Sequence, residues 1–244
     1  MVKPSTSAGG SVRILALETS GRLGSVALLQ ADGPDAVLVA ASELPADQRT
    51  ARSLLPCVQQ LLREHDWAPG SIELVGVATG PGSFTGLRIG AVAAKTFAYA
   101  TGAQLAGVHT LAVIAAGVDN RQGRVWTMLD AQRQELFVAS FDAARPLIEQ
   151  RDPPTEILSI PEFIARLSPG DTVAGPALAK LRDQLRDGLI VANESTSNPS
   201  ASAVGRLAAQ WFAAGVTVDP LQLVPQYFRK SAAEEKAAGV GGTP

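Results

Sequence analysis

The stretch that decides the fold is Gly80–Gly90, which reads Gly-Pro-Gly-Ser-Phe-Thr-Gly-Leu-Arg-Ile-Gly. It follows an apolar run, Leu74–Ala78, and precedes a long alanine-rich stretch that is typical of a helix. A glycine-rich turn between a strand and a helix is where α/β proteins often hold phosphates. Glycine in such a turn also lets two backbones approach closely. The sequence therefore leaves a choice between a ligand loop and a packing joint.

The spacing inside Gly80–Gly90 fits neither standard nucleotide motif. A P-loop needs Gly-Lys-Ser/Thr, but Arg88 stands two positions after Gly86. A dinucleotide fingerprint needs glycine at its sixth position, which from Gly80 is Thr85. The simpler interpretation is a capped helix behind a tight turn. The N-terminus of such a helix attracts anions, so the candidate anion site consists of Ser83, Thr85 and Gly86.

Small residues recur every four positions in the helix that this segment opens: Gly86, Gly90, Ala94 and Ala98. A ridge without side chains lets another helix or strand approach closely. Because glycine inside a helix costs up to about 1 kcal/mol relative to alanine, Gly90 suggests a packing requirement. The spacing is equally consistent with packing on the chain's own sheet and with packing on a partner.

The elements around the segment predict one ribonuclease-H-like unit. Three meandering strands are expected between Val12 and Ala41, followed by a helix over Arg49–His65 and a buried strand over Ile72–Ala78. A helix over Gly86–Thr101 and a strand over Gln104–Val108 complete the unit. By analogy, such a unit is half of the actin–sugar kinase–Hsp70 (ASKHA) fold. The predicted fold class is therefore α/β, actin-like, with two domains of which the second is reduced.

The predicted domain division places a disordered tail at 1–11, a first domain at 12–117, a second, smaller domain at 118–230 and a disordered tail at 231–244. A helix near 200–214 is free to return to the first domain. The sequence shows no internal repeat, and the second half is expected to be too short to duplicate the first in full.

Composition excludes several classes of protein. The formal net charge of −2 over 244 residues offers no general reason to bind nucleic acid. Cys57 is the only cysteine, which excludes an internal disulfide and a thiolate metal cluster. No stretch reaches the length of about 18 apolar residues that a membrane span needs, and the N-terminus lacks the apolar core of a signal peptide. The chain is therefore predicted to be cytoplasmic.

Titratable residues do not combine into a complete catalytic set. The two histidines, His65 and His109, lack metal-ligand spacing and are interpreted as structural, as is Cys57. Glu18 ends the first strand, where kinase-like members of the fold carry an acidic residue, and it is a weak candidate ligand for a metal-bound water. Asp130 is its counterpart in the second unit, although an aspartate that forms a turn explains it equally simply. No catalytic, cofactor-binding or metal residue is predicted with these patterns alone.

Several segments between about residue 12 and residue 230 resemble the bacterial TsaB (YeaZ) family. The longest is Gly80–Gly90, which is also the most specific. The others are Ile14–Ser20, Ser25–Leu28, Leu54–Pro56, Gly107–Leu111, Asp130–Glu135 and Pro225–Arg229.

The resemblance implies a non-catalytic subunit of the machinery that forms N6-threonylcarbamoyladenosine at position 37 of tRNAs reading ANN codons. Such a subunit pairs with the catalytic subunit TsaD, is joined by the ATPase TsaE and meets tRNA only through the complex. It forms a homodimer when TsaD is absent, and a nucleotide at the partner interface is left open. The interface residues implied for this chain are Leu54, Leu55, Val58, Leu87, Ile89, Gly90 and Ala94.

This chain departs from the family where a histidine usually precedes the first helix, because Thr50 stands there. TsaD holds its metal with paired histidines on a helix, which this sequence lacks. Both departures favour the non-catalytic interpretation. The alternatives are an independent ATP-dependent enzyme of the same fold, the threonylcarbamoyl transferase itself and, with no nucleophile–base pair to support it, a peptidase.

Overall fold

The computed structural model describes residues 10–119, 121–193 and 196–229. Most of the two predicted tails lies outside these ranges. The strands are β1 (Val12–Glu18), β2 (Ser25–Asp32), β3 (Asp35–Glu43), β4 (Leu74–Gly80), β5 (Gln104–His109), β6 (Arg124–Gln132), β7 (Glu135–Asp142), β8 (Glu156–Ser159), β9 (Thr172–Ala174) and β10 (Ile190–Val191). The α-helices are α1 (Thr50–Glu64), α2 (Phe84–Thr101), α3 (Thr110–Gly117), α4 (Ile160–Arg166) and α5 (Ala201–Ala213). No helix in the described part of the chain is long and apolar enough to cross a membrane.

The strands form two sheets with the same internal order. The first sheet runs β3-β2-β1-β4-β5, and the second, taken from its β8 edge, runs β8-β7-β6-β9-β10. Counted in chain order, the first three strands of each sheet pair antiparallel. The fourth strand pairs parallel to the first, and the fifth pairs parallel to the fourth. The second half therefore repeats the complete strand order of the first, a repeat that the sequence did not reveal.

The second half achieves this repeat with shorter elements. Strands β9 and β10 have 3 and 2 residues. Helix α4 has 7 residues where α1 has 15, and the place of the 18-residue α2 is taken by two 3₁₀ turns, Pro176–Lys180 and Arg182–Gln184. The sequence did not predict β8, because a four-residue strand carries too little alternation to be recognised.

The helices and sheets form five layers. Helices α1 and α2 cover the outer face of the first sheet, α3 and α5 lie between the sheets, and α4 covers the outer face of the second sheet. The central layer joins both halves in one core, because residues of both sheets pack around α3 and α5.

Helix α5 follows the second half in sequence but packs on all five strands of the first sheet. Small residues bring it close: a Cβ built on Gly76 of β4 would lie 2.8 Å from the Cβ of Ala208. The domain boundary near residue 117 stays a prediction, and this close packing supports assigning α5 to the first unit.

Candidate functional site

The glycine segment joins β4 to α2 and is bonded to the turn that follows β1. The backbone N–H of Ser83 donates to the carbonyl oxygen of Ser20 at 2.7 Å. The hydroxyl of Thr19 donates to the carbonyl oxygen of Gly86 at 2.8 Å. These two bonds place the start of α2 directly over the end of β1, at the edge where parallel strands of α/β proteins present their ligand sites.

Three glycines of the segment are needed because this approach is so close. A Cβ on Gly82 would lie 2.5 Å from the carbonyl oxygen of Ser20. A Cβ on Gly86 would overlap the Thr19 carbonyl, and one on Gly90 would overlap the Thr19 hydroxyl. The ridge on α2 therefore packs on the chain's own sheet. The spacing left open whether the ridge packs on the chain's own sheet or on a partner, and in the structure it packs on the sheet.

The predicted anion site is partly used by the chain itself. Gly86 N–H donates to the side-chain oxygen of Ser83 at 3.2 Å, which caps α2, and Leu87 N–H donates to the Ser83 carbonyl at 2.8 Å. Since Ser83 N–H is also bonded, the amides of this turn without a hydrogen-bond partner among the described residues are those of Gly82, Phe84 and Thr85. Ser83 and Thr85 are exposed, whereas Gly86 is buried. Anion binding here stays a prediction with few donors to support it.

Five of the seven residues predicted for the partner interface are buried within this chain and offer little surface to a partner: Leu54, Val58, Leu87, Gly90 and Ala94. The other two remain available, since Leu55 is 58% exposed and Ile89 is partly buried.

Sequence reasoning missed Val92 and Tyr99, which are 62% and 76% exposed on α2. Their separation of seven residues, on the face opposite the glycine–alanine ridge, was the signal that could have found them. Whether α1 and α2 bind a partner stays a prediction.

Glu18 is completely buried at the end of β1. One carboxylate oxygen, Oε1, accepts the backbone N–H of Ser20 at 2.6 Å and also accepts the Ser20 hydroxyl. The other, Oε2, has no hydrogen-bond partner among the described residues. Burial raises the pKa of Glu18 to about 7, although the bonds from Ser20 and Gly21 act in the opposite direction. The Glu18 carboxyl group therefore titrates near neutral pH, well above the usual range of a glutamate.

Asp130 lies near the end of β6, where the repeated strand order places the counterpart of Glu18. Its environment differs, because it is near the surface and accepts a charged hydrogen bond from Lys180 at 2.5 Å and one from Gln132 N–H at 3.0 Å. Partial burial acts to raise the pKa of Asp130, but the bonds from Lys180 and Gln132 and the Lys180 charge lower it overall. Asp130 is thus a turn-forming, ion-paired aspartate.

His109 caps helix α3. Its Nδ1 accepts the backbone N–H of Leu111 at 3.2 Å, and its Nε2 lies 3.1 Å from the Thr155 hydroxyl. Burial lowers the pKa of His109 to about 4, against a smaller opposite effect of the Asp152 charge. As the N-cap of α3, His109 has a structural role in the first turn of that helix.

The remaining sequence candidates do not assemble around Glu18. In the described ranges, no group of three or more histidine, cysteine or acidic side chains could hold a metal ion. Cys57 is partly buried on α1, and His65 follows the last residue of the same helix. A cavity of about 660 Å³ lies elsewhere, between α3 and α5, and its lining includes Arg121 and Arg206.

A feature that the sequence did not predict is the path of residues 219–229, which we call the C-terminal strap. The strap leaves the first sheet at β4 and β5 and ends with Arg229 bonded to the β6–β7 hairpin. The only sequence signal was Pro225–Arg229 itself, which indicated an ordered end without indicating what it contacts.

Comparisons with known proteins agree with this architecture. The family model described as TsaD, tRNA N6-adenosine threonylcarbamoyltransferase, matches residues 45–237. The tRNA threonylcarbamoyladenosine biosynthesis protein TsaB of Escherichia coli (strain K12) is 31% identical over 235 residues, which cover 93% of this chain and 99% of that protein. The TsaB protein of Bacillus subtilis (strain 168) is 28% identical over 230 residues, covering 91% of this chain and 96% of that protein.

Solved structures show the same fold. YeaZ from Pseudomonas aeruginosa superposes with a TM-score of 0.70 at 24% identity, covering 89% of this chain and all of that chain. The predicted actin-like, ribonuclease-H-like fold class is therefore confirmed. The chain belongs to the family that the TsaD model describes and, by its curated relatives, to the TsaB (YeaZ) family.

Proposed function

We propose that this chain is a non-catalytic subunit of the machinery that forms N6-threonylcarbamoyladenosine in tRNA, active in a complex with a TsaD-type catalytic subunit. The TsaB proteins of Escherichia coli and Bacillus subtilis are named for that biosynthesis, and this chain matches both over nearly their full length. In this proposal a TsaE-type ATPase joins the pair, tRNA is met only through the complex, and the chain forms a homodimer when the catalytic subunit is absent. The proposed compartment is the cytoplasm, where tRNA is modified.

The observation that supports the proposal is that the glycine segment, which the sequence left as either a ligand loop or a packing joint, is filled by the chain's own β1 turn. Gly82, Gly86 and Gly90 receive Thr19 and Ser20 in the space where a phosphate would have to approach. An anion site needs free amides that converge on the ligand, and three amides of this turn, those of Ser83, Gly86 and Leu87, are already bonded. A nucleotide held by this chain alone is therefore disfavoured, whereas one held at a partner interface stays open.

The surface that supports partner binding lies on the outer layer of the first half. Leu55 of α1 and Val92 and Tyr99 of α2 are more than half exposed. Large apolar side chains that cluster on two neighbouring helices are typical of a protein–protein interface, and exposed tyrosine is enriched there. We therefore move the proposed interface from the buried ridge to this outer face.

The experiment is to mix the purified chain with a TsaD-type subunit and to measure complex formation by light scattering. Val92→Asp places an unpaired charge in the proposed interface and should weaken pairing by at least about tenfold. The matched control is Val37→Asp, because Val37 is also exposed, at 71%, but lies on the edge strand β3. Equal pairing by both variants, with both monomers folded, would contradict the proposed surface.

A second candidate function, an ATP-dependent enzyme or the transferase itself, is favoured by one observation. Glu18 is buried, its Oε2 has no hydrogen-bond partner in the described part of the chain, and its pKa of about 7 suits a general base. ATP hydrolysis by the isolated chain that disappears in Glu18→Ala would overturn the non-catalytic proposal. Hydrolysis that is absent, or that is unchanged in Glu18→Ala, would remove this alternative for Glu18.

A further inference from the structure

The C-terminal strap, residues 219–229, is anchored first on the outer layer of the first half. Leu223 is only 4% exposed and belongs to the core under α1 and α2. Lys95 of α2 donates to the carbonyl oxygens of Leu221 and Leu223 at 3.4 and 3.0 Å. Backbone pairing continues with Gln226 N–H, which donates to the carbonyl oxygen of Thr79 in β4 at 2.7 Å. The strap is therefore held as an integral part of this half.

The next strap residue is held by the start of α2. The Tyr227 ring lies 4.6 Å from the Phe84 ring, and the Tyr227 hydroxyl accepts Arg88 Nε–H at 3.0 Å. The Arg88 guanidinium in turn lies over the Phe84 ring at 3.9 Å. A stack of two aromatic rings and a guanidinium fixes the direction in which the strap leaves the first half.

The last two strap residues cross to the second half. The Phe228 ring packs between the rings of His109, at 5.7 Å, and of Phe137 in β7, at 6.4 Å. Arg229 donates to the Ala131 carbonyl oxygen and forms an ion pair with Glu135, on the two sides of the β6–β7 hairpin. One short segment thus touches both sheets at their carboxyl-end edge.

Two glycines of the first half leave room for the strap. Gly80 has a φ of +126°, and a Cβ there would overlap the carbonyl oxygen of Gln226. A Cβ on Gly107 of β5 would lie 3.0 Å from a methyl group of Leu223. Such fitted contacts distinguish the strap from a loosely adsorbed terminal tail.

The β6–β7 hairpin, to which Arg229 is bonded, has a strained backbone. Gln132, Arg133 and Gln134 have φ values of +66°, +55° and +62°, and three consecutive non-glycine residues in the left-handed region are uncommon. Such residues persist only where their surroundings hold them. Here Arg229 holds the hairpin from the strap side, and the Lys180–Asp130 pair holds it from the other.

We propose that the C-terminal strap is a lock that fixes the two halves relative to one another and holds the β6–β7 hairpin in its left-handed conformation. Release of Phe228 and Arg229 then permits a movement between the halves that the bound strap prevents. The lock acts inside one chain and does not depend on whether a partner binds, so its test uses the isolated protein.

The test measures the distance between the halves. Spin labels are placed on Arg63→Cys in α1 and Ala165→Cys in α4, both exposed, in a chain with Cys57→Ser. Pulsed electron paramagnetic resonance should give one narrow distribution of the distance between the two labels when the strap is intact. Arg229→Met keeps the apolar stem but removes the bonds to the hairpin, and together with Phe228→Ala it should broaden or shift the distribution. The matched control is Val224→Ala, a strap residue that is 68% exposed.

A second measurement begins with the unaltered chain and then uses a single strap variant. Hydrogen exchange in the unaltered chain should protect the Gln226 and Gln132 amides to a similar degree, because both open when the lock opens. In Arg229→Met, exchange of the hairpin amides should accelerate at least about tenfold, which corresponds to about 1.4 kcal/mol. The proposal is overturned if the folded double variant keeps the narrow distribution. It is also overturned, even if that variant does not fold, if Gln226 exchanges freely while the hairpin stays protected.

Discussion

Replacing Glu18 by glutamine tests the electrostatics at the end of β1. The carboxyl group is buried, and its Oε2 has no partner among the described residues. Glutamine preserves the shape and the oxygen that accepts from Ser20, but it cannot ionise. The variant therefore isolates the cost of burying the charge from the packing of the side chain.

The expected size follows from the pKa. Burial raises the pKa of Glu18 from 4.5 to about 7, so the folded state retains a proton that the unfolded state has already lost. Burying this group costs no stability well below pH 4.5. The cost grows as the pH rises from 4.5 through 7, and above 7 it is nearly constant. By linkage the penalty is about 1 kcal/mol at pH 5 and about 3 kcal/mol at pH 8. Glutamine removes this penalty but leaves a buried amide N–H₂ without an acceptor, which costs about 1–2 kcal/mol at every pH.

The assay is urea unfolding of both proteins between pH 5 and pH 8. Relative to the unaltered chain, the free energy of unfolding of Glu18→Gln should rise by about 2 kcal/mol across this range, whatever the cost of the amide. Glu43→Gln is the matched control, because Glu43 is an exposed carboxylate on the same sheet. A difference between Glu18→Gln and the unaltered chain that stays constant from pH 5 to pH 8 would refute the argument.

Three further predictions concern stability. Gly90→Leu should unfold the monomer or destabilise it by at least about 3 kcal/mol, because its Cβ would overlap Thr19, and a normal melting temperature would contradict the inward ridge. His109 has a pKa lowered to about 4, so stability should fall by about 2 kcal/mol as the pH drops from 7 to 5. His109→Ser keeps an N-cap, so in urea titrations of this variant the fall in stability between pH 7 and pH 5 should be smaller by about this amount. An unchanged fall would mean that another group causes it. Ser159→Ala removes the capping box that starts α4 and should cost about 1 kcal/mol in thermal unfolding, with no change expected for Ala165→Ser. An unaltered stability of Ser159→Ala would mean that α4 is held by its packing alone.

Local patterns predicted the first half well, because its strands and helices are long enough to show their periods. The buried strand before the glycine segment and the amphipathic helix α1 appear within a few residues of their predicted bounds. The second half was predicted less completely. Its repeat of the strand order became visible only in the sheets, because strands of 2 to 4 residues carry almost no pattern.

The candidate site shows the same division. The sequence placed Glu18 at a strand end and identified Gly80–Gly90 as a joint, but it left open which face of α2 is at the surface. A spacing of four residues defines a stripe on a helix without indicating what that stripe packs against. The exposed positions Val92 and Tyr99 emerged only when the ridge was found against Thr19.

By itself, the sequence determined the order of elements, the strand-to-helix joint and the resemblance to one family, since each depends on residues that are close together in the chain. Only the tertiary structure decided that the glycines receive the chain's own β1 turn and that the strap connects the two halves. It also decided that Glu18 is buried, with an Oε2 that has no hydrogen-bond partner within the described ranges. These features depend on contacts such as that between Arg229 and Ala131, which lie 98 residues apart. Burial, and with it the pKa of Glu18, is a property of what the rest of the chain places around a residue, which no local pattern contains.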